Sequence, residues 1–246
     1  MNKINGYKSF LVETIKFDIK QYLNFLKEVY SGNLPIDTNT LELKYKLKKS
    51  CLSNIINDEL KITSLDELQK IVSECKKCNL YASRKNTVFG KGSAKERLVI
   101  IGEAPGADED ETGEPFVGRA GQLLTKMLSA IGIDRESVFI CNVLKCRPPN
   151  NRDPLPDEIS KCSYYLDKQL EFLKPKYILA LGRIAAIRLL NKEATMKEFR
   201  EGKYIYNGIP VLVTYHPSAL LRNPNWKYPA WEDLKRMKEL LDSSNG

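Results

Sequence analysis

Three side chains in this 246-residue sequence have the chemistry and placement of a reactive site. His216 is the only histidine. Asn142 comes at the end of an apolar run, 138–141, and Glu103 follows another, 98–101, within the turn Gly102-Glu-Ala-Pro-Gly106. An imidazole N–H can hold a carbonyl oxygen on which negative charge develops. A carboxamide offers donors and an acceptor in one plane, so it can match the O4/N3–H edge of a pyrimidine with two hydrogen bonds. The turn continues through Ala107-Asp-Glu-Asp110 and Gly113-Glu-Pro-Phe-Val-Gly-Arg-Ala-Gly121, which adds the ring of Phe116. An open backbone turn, carboxylates and an aromatic ring suit a flat polar ring better than a phosphate tail. Taken singly, Asn142 reads as a loop-capping amide and His216 as a structural histidine. Their arrival at neighbouring strand ends favours a site.

The same inventory excludes several chemistries. One histidine cannot build a multi-histidine zinc centre. No Gly-x-Ser-x-Gly elbow is present for a serine nucleophile, and Gly102-x-x-x-Gly106 lacks the Lys-Ser/Thr ending of a phosphate loop. Cys75-Lys-Lys-Cys78 is a tight pair, and Cys146 and Cys162 form a wider one around Arg147-Pro-Pro-Asn-Asn-Arg-Asp-Pro-Leu-Pro156. Four thiolates can hold a tetrahedral zinc or a [4Fe–4S] cluster. The open second pair is unlike a zinc knuckle, which places iron–sulfur slightly ahead of zinc; four unrelated cysteines is the plain alternative. Cys51 and Cys141 read as buried, inert thiols.

The elements that would position these groups alternate. Apolar runs at 98–101, 138–141, 177–181 and 211–214 read as buried strands, and helical patterns at 119–131, 157–173, 183–190 and 229–242 follow them. This predicts a three-layer α/β/α fold around a four-stranded parallel sheet, with the residues after each strand meeting at one edge. Ser64-Leu-Asp-Glu67 predicts the start of a helix that runs to about Cys75. Residues 11–30 carry helical spacing, and a boundary near 62 separates an N-terminal helical extension, 1–62, from a chemically distinctive unit, 63–246. The extension carries ten lysines against seven acids. That balance does not identify a DNA arm; a helical appendage that docks a partner protein fits equally well.

From about Thr63 onwards the sequence resembles the family 4 uracil-DNA glycosylases, the iron–sulfur branch of the uracil-DNA glycosylase superfamily. The resemblance rests on Cys75-x-x-Cys78, Gly102-Glu-Ala-Pro-Gly-Ala-Asp-Glu-Asp110, Glu114-Pro-Phe-Val-Gly-Arg-Ala-Gly121, Asn142-Val-Leu-Lys-Cys-Arg-Pro-Pro149, Cys162 and His216-Pro-Ser-Ala-Leu-Leu-Arg222, in that order. It implies deoxyuridine in DNA as substrate, extruded from the stack. Phe116 would stack on the uracil and Asn142 would read its Watson–Crick edge. Backbone amides around Glu103 and Ala104 would hold O2, with Gly106 in the same turn. His216 would stabilise the departing base, and Leu220 would wedge into the vacated stack. Arg222 would contact a phosphate, and Glu109 would crowd the uracil C5 position. The four cysteines Cys75, Cys78, Cys146 and Cys162 would carry a structural [4Fe–4S] cluster. That cluster would pin the loop bearing Lys145, Arg147 and Arg152 against the DNA backbone. Ala104 stands where the best-known branch has an aspartate, which leaves Glu103 to position the attacking water in a dissociative reaction.

Two other classes compete with a glycosylase: a module that binds or traps uracil-DNA without turnover, and an electron-transfer protein that merely carries a cluster. A related branch that traps its product covalently uses an extra histidine in an inserted basic loop. This sequence has neither a second histidine nor a basic insertion between Gly106 and Gly121, which argues against trapping. The net charge of +8 favours polyanionic partners but is too ordinary to choose among them. No apolar stretch approaches a membrane span, and Met1-Asn-Lys-Ile-Asn-Gly-Tyr-Lys is no secretory signal. The expectation is a monomer acting on single- or double-stranded DNA, in the cytoplasm at the nucleoid, or in a nucleus.

Overall fold

The computed structural model describes residues 62–243. The helix expected over 11–30, Cys51 and all of the extension before Ile62 lie outside the described residues. The first helix, α1 (Leu65–Ser73), starts where the capping pattern placed it: the Ser64 hydroxyl accepts the N–H of Glu67 at 3.1 Å. The Glu67 carboxylate in turn accepts the N–H of Thr63 at 2.8 Å.

A sheet of five strands organises the rest: β1 (Leu98–Gly102), β2 (Phe139–Asn142), β3 (Tyr177–Leu181), β4 (Tyr204–Tyr206) and β5 (Ile209–Thr214). Their order is β2-β1-β3-β5-β4. The four expected strands are parallel, but the expected sheet of four is corrected to five. The short β4 pairs antiparallel with β5 at the edge, through a turn at Asn207 and Gly208 that both have left-handed φ. Strands β1, β2 and β3 are buried along their whole length. That is why they read as continuous apolar runs rather than alternating ones.

Among the described residues, eight α-helices cover and connect the sheet: α1, then α2 (Ala107–Thr112), α3 (Arg119–Ala130), α4 (Pro156–Leu173), α5 (Arg183–Leu190), α6 (Met196–Glu201), α7 (Pro217–Arg222) and α8 (Lys227–Asp242). One face of the sheet (Leu98, Ile100, Ile140, Leu179) packs with Leu124 and Leu128 of α3 and with Leu234 and Met237 of α8. Val99 and Ile101 point the other way and are also fully buried, and α5 packs on β1 and β3. Each such buried aliphatic side chain contributes roughly 1.5–3 kcal/mol relative to exposure. The chain leaves β1 for β2 on one side and returns to β3 on the other, so the strand order reverses between β1 and β3. In open α/β sheets, ligands bind beyond the carboxyl ends of the strands at such a switch point.

Candidate active site

At that switch point the structure has a cavity of about 610 Å³. Glu103, Ala104, Gly106, Glu109, Phe116, Asn142, His216 and Arg222 all line it. The register of the sheet explains how. Gly102 is paired with Asn142 across β1 and β2, so the turn after β1 and the end of β2 share one edge. Leu181 and Thr214 are paired across β3 and β5, which brings Gly182 and His216 to the same edge. The carbonyls of Gly102 and Glu103 accept the N–H groups of Val143 and Leu144 at 2.9 and 3.0 Å, which fixes the turn.

Two glycines are there because other atoms occupy the space. A Cβ on Gly102 would lie 2.4 Å from the Asn142 side-chain oxygen and 2.6 Å from the Phe116 ring. A Cβ on Gly121 would lie 1.7 Å from the Phe116 carbonyl oxygen. Phe116 itself has φ 54°, unusual for a non-glycine residue, so its surroundings must hold it. They do. Arg135 donates to the Pro115 carbonyl at 2.7 Å. The Glu109 carboxylate accepts the N–H groups of Val117 and Gly118 at 2.9 and 3.0 Å, and that of Gly106 at 3.1 Å. Glu109 lines the cavity, but both its oxygens clamp backbone; it is the tie between the first turn and the Phe116 turn.

Asn142 is 1% exposed, and its Oδ1 is the one buried side-chain polar atom among the described residues without a hydrogen-bond partner. Leaving such an acceptor unpaired costs about 1–3 kcal/mol, so an unpaired acceptor that lines a cavity calls for a donor from outside the protein. The Asn142 main chain is held by Lys145, whose ammonium donates to the Asn142 carbonyl at 2.7 Å and to Gln169 Oε1 at 2.5 Å. Lys145 is 1% exposed, which corrects the expectation that it faces a DNA backbone. Arg147 and Arg152 stay at the surface; Arg152 lines the cavity and pairs with Glu158 at 2.6 Å.

The His216 ring lies 5.5 Å from that of Phe116. Its Nδ1 accepts the Ser218 N–H at 3.2 Å and sits 2.8 Å from the Ser218 hydroxyl. A neutral imidazole that accepts at Nδ1 carries its proton on Nε2. Burial, with Arg222 acting in the same direction, pushes the His216 pKa down to about 4, so the ring is neutral near pH 7. Glu103 moves the opposite way: burial first, then Asp153, raise its carboxyl to about 7, against the pull of Arg183. Asp153 and Arg183 line the cavity and escaped the sequence reading, although Arg183 opens the helix that follows Gly182. Tyr215 and Trp226 complete the rim.

Leu220 does not face the cavity. It is 2% exposed and belongs to the core cluster, which corrects its expected role as a wedge in the base stack. The exposed leucine of α7 is its neighbour Leu221, at 39%.

The four cysteines Cys75, Cys78, Cys146 and Cys162 line one small cavity together with Val72 and Tyr165. Among the described residues no three His, Cys, Asp or Glu side chains group closely enough for a single metal ion. The donor set nonetheless suits a larger multinuclear metal group, which four thiolates would leave with net negative charge. Lys77, Arg84, Lys145 and Lys161 line the same cavity. Arg84 donates to Cys146 Sγ at 3.1 Å, and the Lys145 N–H to Cys162 Sγ at 3.4 Å. Burial raises the Cys146 thiol and pushes that of Cys162 up to about 12. Such thiols ionise only against a strong positive charge at the sulfur.

Known proteins share this sequence over most of the described residues. The sequence model of the Uracil DNA glycosylase superfamily matches residues 89–235. The type-4 uracil-DNA glycosylase of Archaeoglobus fulgidus is 46% identical over 186 residues, covering 72% of this chain and 93% of its own. That of Saccharolobus solfataricus is 47% identical over 190 residues, covering 73% and 88%. That of Thermotoga maritima is 44% identical over 184 residues, covering 72% and 96%. The chain belongs to the uracil-DNA glycosylase superfamily and, within it, to the type-4 uracil-DNA glycosylases.

Proposed function

We propose that this chain is a DNA repair glycosylase that extrudes deoxyuridine from DNA and hydrolyses its N-glycosidic bond, releasing uracil and leaving an abasic site. The observation that carries this reading is the buried, unpartnered Oδ1 of Asn142, between Phe116 and the turn after β1. Uracil N3–H is the donor it lacks, while the amide nitrogen of Asn142 donates to O4. Cytosine presents an acceptor at N3 and would leave Oδ1 unpaired, which costs the wrong base about 1–3 kcal/mol. Phe116 covers the face of the base. Glu109 secures the wall of this pocket by clamping the Phe116 turn, and Gly106 and Ala104 form its floor.

In the reaction the C1′–N1 bond breaks and its electron pair leaves with the base. The charge spreads to O2, where the Nε2–H of neutral His216 and the turn amides near Ala104 receive it. Water adds to C1′ and gives its proton to Glu103, whose carboxyl is near half-ionised at pH 7. Leu221, rather than Leu220, fills the gap left in the stack, and Arg222 meets a phosphate.

Cys75, Cys78, Cys146 and Cys162 would hold a [4Fe–4S] cluster, and the group would supply a structural crosslink rather than redox chemistry. It would join the loop after β2, α4 and the segment after α1, so the Asn142 end of β2 is held rigid through Lys145. The residues named here all lie between 75 and 222, and no described helix is long and apolar enough to cross a membrane. Release of free uracil from a uracil-containing oligonucleotide, with an alkali-labile site left behind, tests the proposal. Tight binding without release would favour a non-turnover binding module instead.

A further inference from the structure

The uracil reading uses Phe116, Asn142 and His216 but gives no task to Tyr215 and Trp226, which line the same cavity. Their rings are nearly parallel, 12° apart, with centroids at 4.9 Å. The pair is braced from the core. The Arg200 guanidinium lies 5.0 Å from the Tyr215 ring centre. Arg200 is itself pinned by two hydrogen bonds, of 2.6 and 3.0 Å, to the fully buried Asp233, which also accepts the Thr214 hydroxyl at 2.8 Å. Trp226 ends the turn Pro224–Trp226, where Asn223 Oδ1 accepts the Asn225 N–H at 3.3 Å. One side of the indole is thus fixed on Tyr215, yet 38% of the residue remains exposed. A rigid aromatic surface at a pocket mouth, with the guanidinium-bearing Arg183 and Arg222 on the same lining, has the chemistry of a nucleobase-stacking platform.

We propose that Trp226, backed by Tyr215, stacks the nucleobase next to the extruded uracil, so that the site takes two adjacent nucleotides of one strand. This rests on the uracil-excision reading of the cavity. A flanking base in a duplex must leave its pair and its stack to reach the platform, which offsets the gain. In single-stranded DNA it is free to move. The platform therefore biases the protein towards uracil in unpaired DNA.

The test crosses two changes. Wild type, Trp226→Ala and Trp226→Phe are assayed on single-stranded uracil oligonucleotides whose 5′ or 3′ neighbour is either a normal nucleotide or a base-free tetrahydrofuran, and on the matching duplex. Trp226→Ala should raise KM on the normal single strand about 5- to 150-fold, the range expected for losing one base–aromatic stack. Trp226→Phe should retain most of the affinity. On the tetrahydrofuran substrate with the relevant neighbour removed, Trp226→Ala should add nothing, and the duplex should respond less than the single strand. Losses that simply multiply with neighbour removal, or a loss confined to the duplex, would overturn the proposal. A second readout needs no turnover. With Trp231→Phe, Trp226 is the only tryptophan left, and its fluorescence should be quenched by a single-stranded abasic oligonucleotide that has the flanking base. An oligonucleotide without that base should leave it unquenched. Base-dependent quenching without uracil release would refute the enzymatic reading and keep the platform; uracil release without such quenching would do the reverse.

Discussion

A histidine that receives charge from a departing base as a neutral donor must stay unprotonated wherever the protein works. At a pKa of about 4, His216 is protonated to about 3% at pH 5.5; at the ordinary histidine value the share would be about 90%. Because it is the only histidine, a long-range 1H–15N spectrum of uniformly labelled protein contains a single imidazole. Titrated from pH 8 to pH 4, that imidazole should keep the Nε2–H tautomer and reach its midpoint near 4. The same depressed value links to stability. The unfolded chain binds this proton more readily, so His216 contributes stability above about pH 6.5 that is lost as pH falls towards 4. Replacing His216 with Ala should lower the single-turnover rate of uracil release about 10²- to 10³-fold, the usual loss for one preorganised donor to a developing oxyanion. The protein should still bind uracil-DNA through Asn142 and Phe116. A midpoint near 6.5, the Nδ1–H tautomer, or a His216→Ala rate close to wild type would rule out His216 as a neutral donor to the departing base.

Other consequences follow from the same geometry. If Glu103 takes the proton of water, the single-turnover rate should fall about tenfold per pH unit below pH 7, and Glu103→Gln should abolish that limb; a limb that survives the substitution assigns it elsewhere. Ionising this carboxyl opposes folding, because its folded value lies above its unfolded one. The melting advantage of Glu103→Gln should therefore be small below pH 4.5 and complete above about pH 7. Leu221→Ala should slow excision from duplex DNA while melting like wild type. Leu220→Ala should instead cost about 2–5 kcal/mol of stability, the usual range for truncating a core leucine. Protein prepared anaerobically should contain iron and sulfide in equal amounts with broad visible absorbance. Cys162→Ser should lose both and melt at a lower temperature, whereas a content of one zinc would contradict the cluster assignment.

The buried strands were legible because parallel strands covered on both faces must be apolar throughout, and 177–181 matches β3 residue for residue. The edge strand β4 was not, since three partly exposed residues make no hydrophobic run. Its signal was the turn: Asn207-Gly208 between Tyr204–Tyr206 and Ile209 is a strong hairpin pattern. Cavity-lining residues at strand ends could be placed together from topology alone, but side-chain direction could not. In a helix of six residues, spacing cannot decide which of Leu220 and Leu221 faces the core. Lys145 reads as a surface cation until Gln169, in α4, and the Asn142 carbonyl are seen to enclose it. Glu109 likewise acts on backbone N–H groups eight and nine residues away, a contact that no side-chain pattern encodes.

At issue is whether the cavity lined by Asn142, Phe116 and His216 removes uracil or only binds it. The most direct measurement quantifies free base after incubating the protein with matched oligonucleotides containing uracil, thymine or cytosine at one position. Stoichiometric uracil and an abasic site are expected from the first, nothing from the others, and loss of the activity in Asn142→Ala. Retention of the intact uracil strand, or release of thymine at a comparable rate, would contradict it.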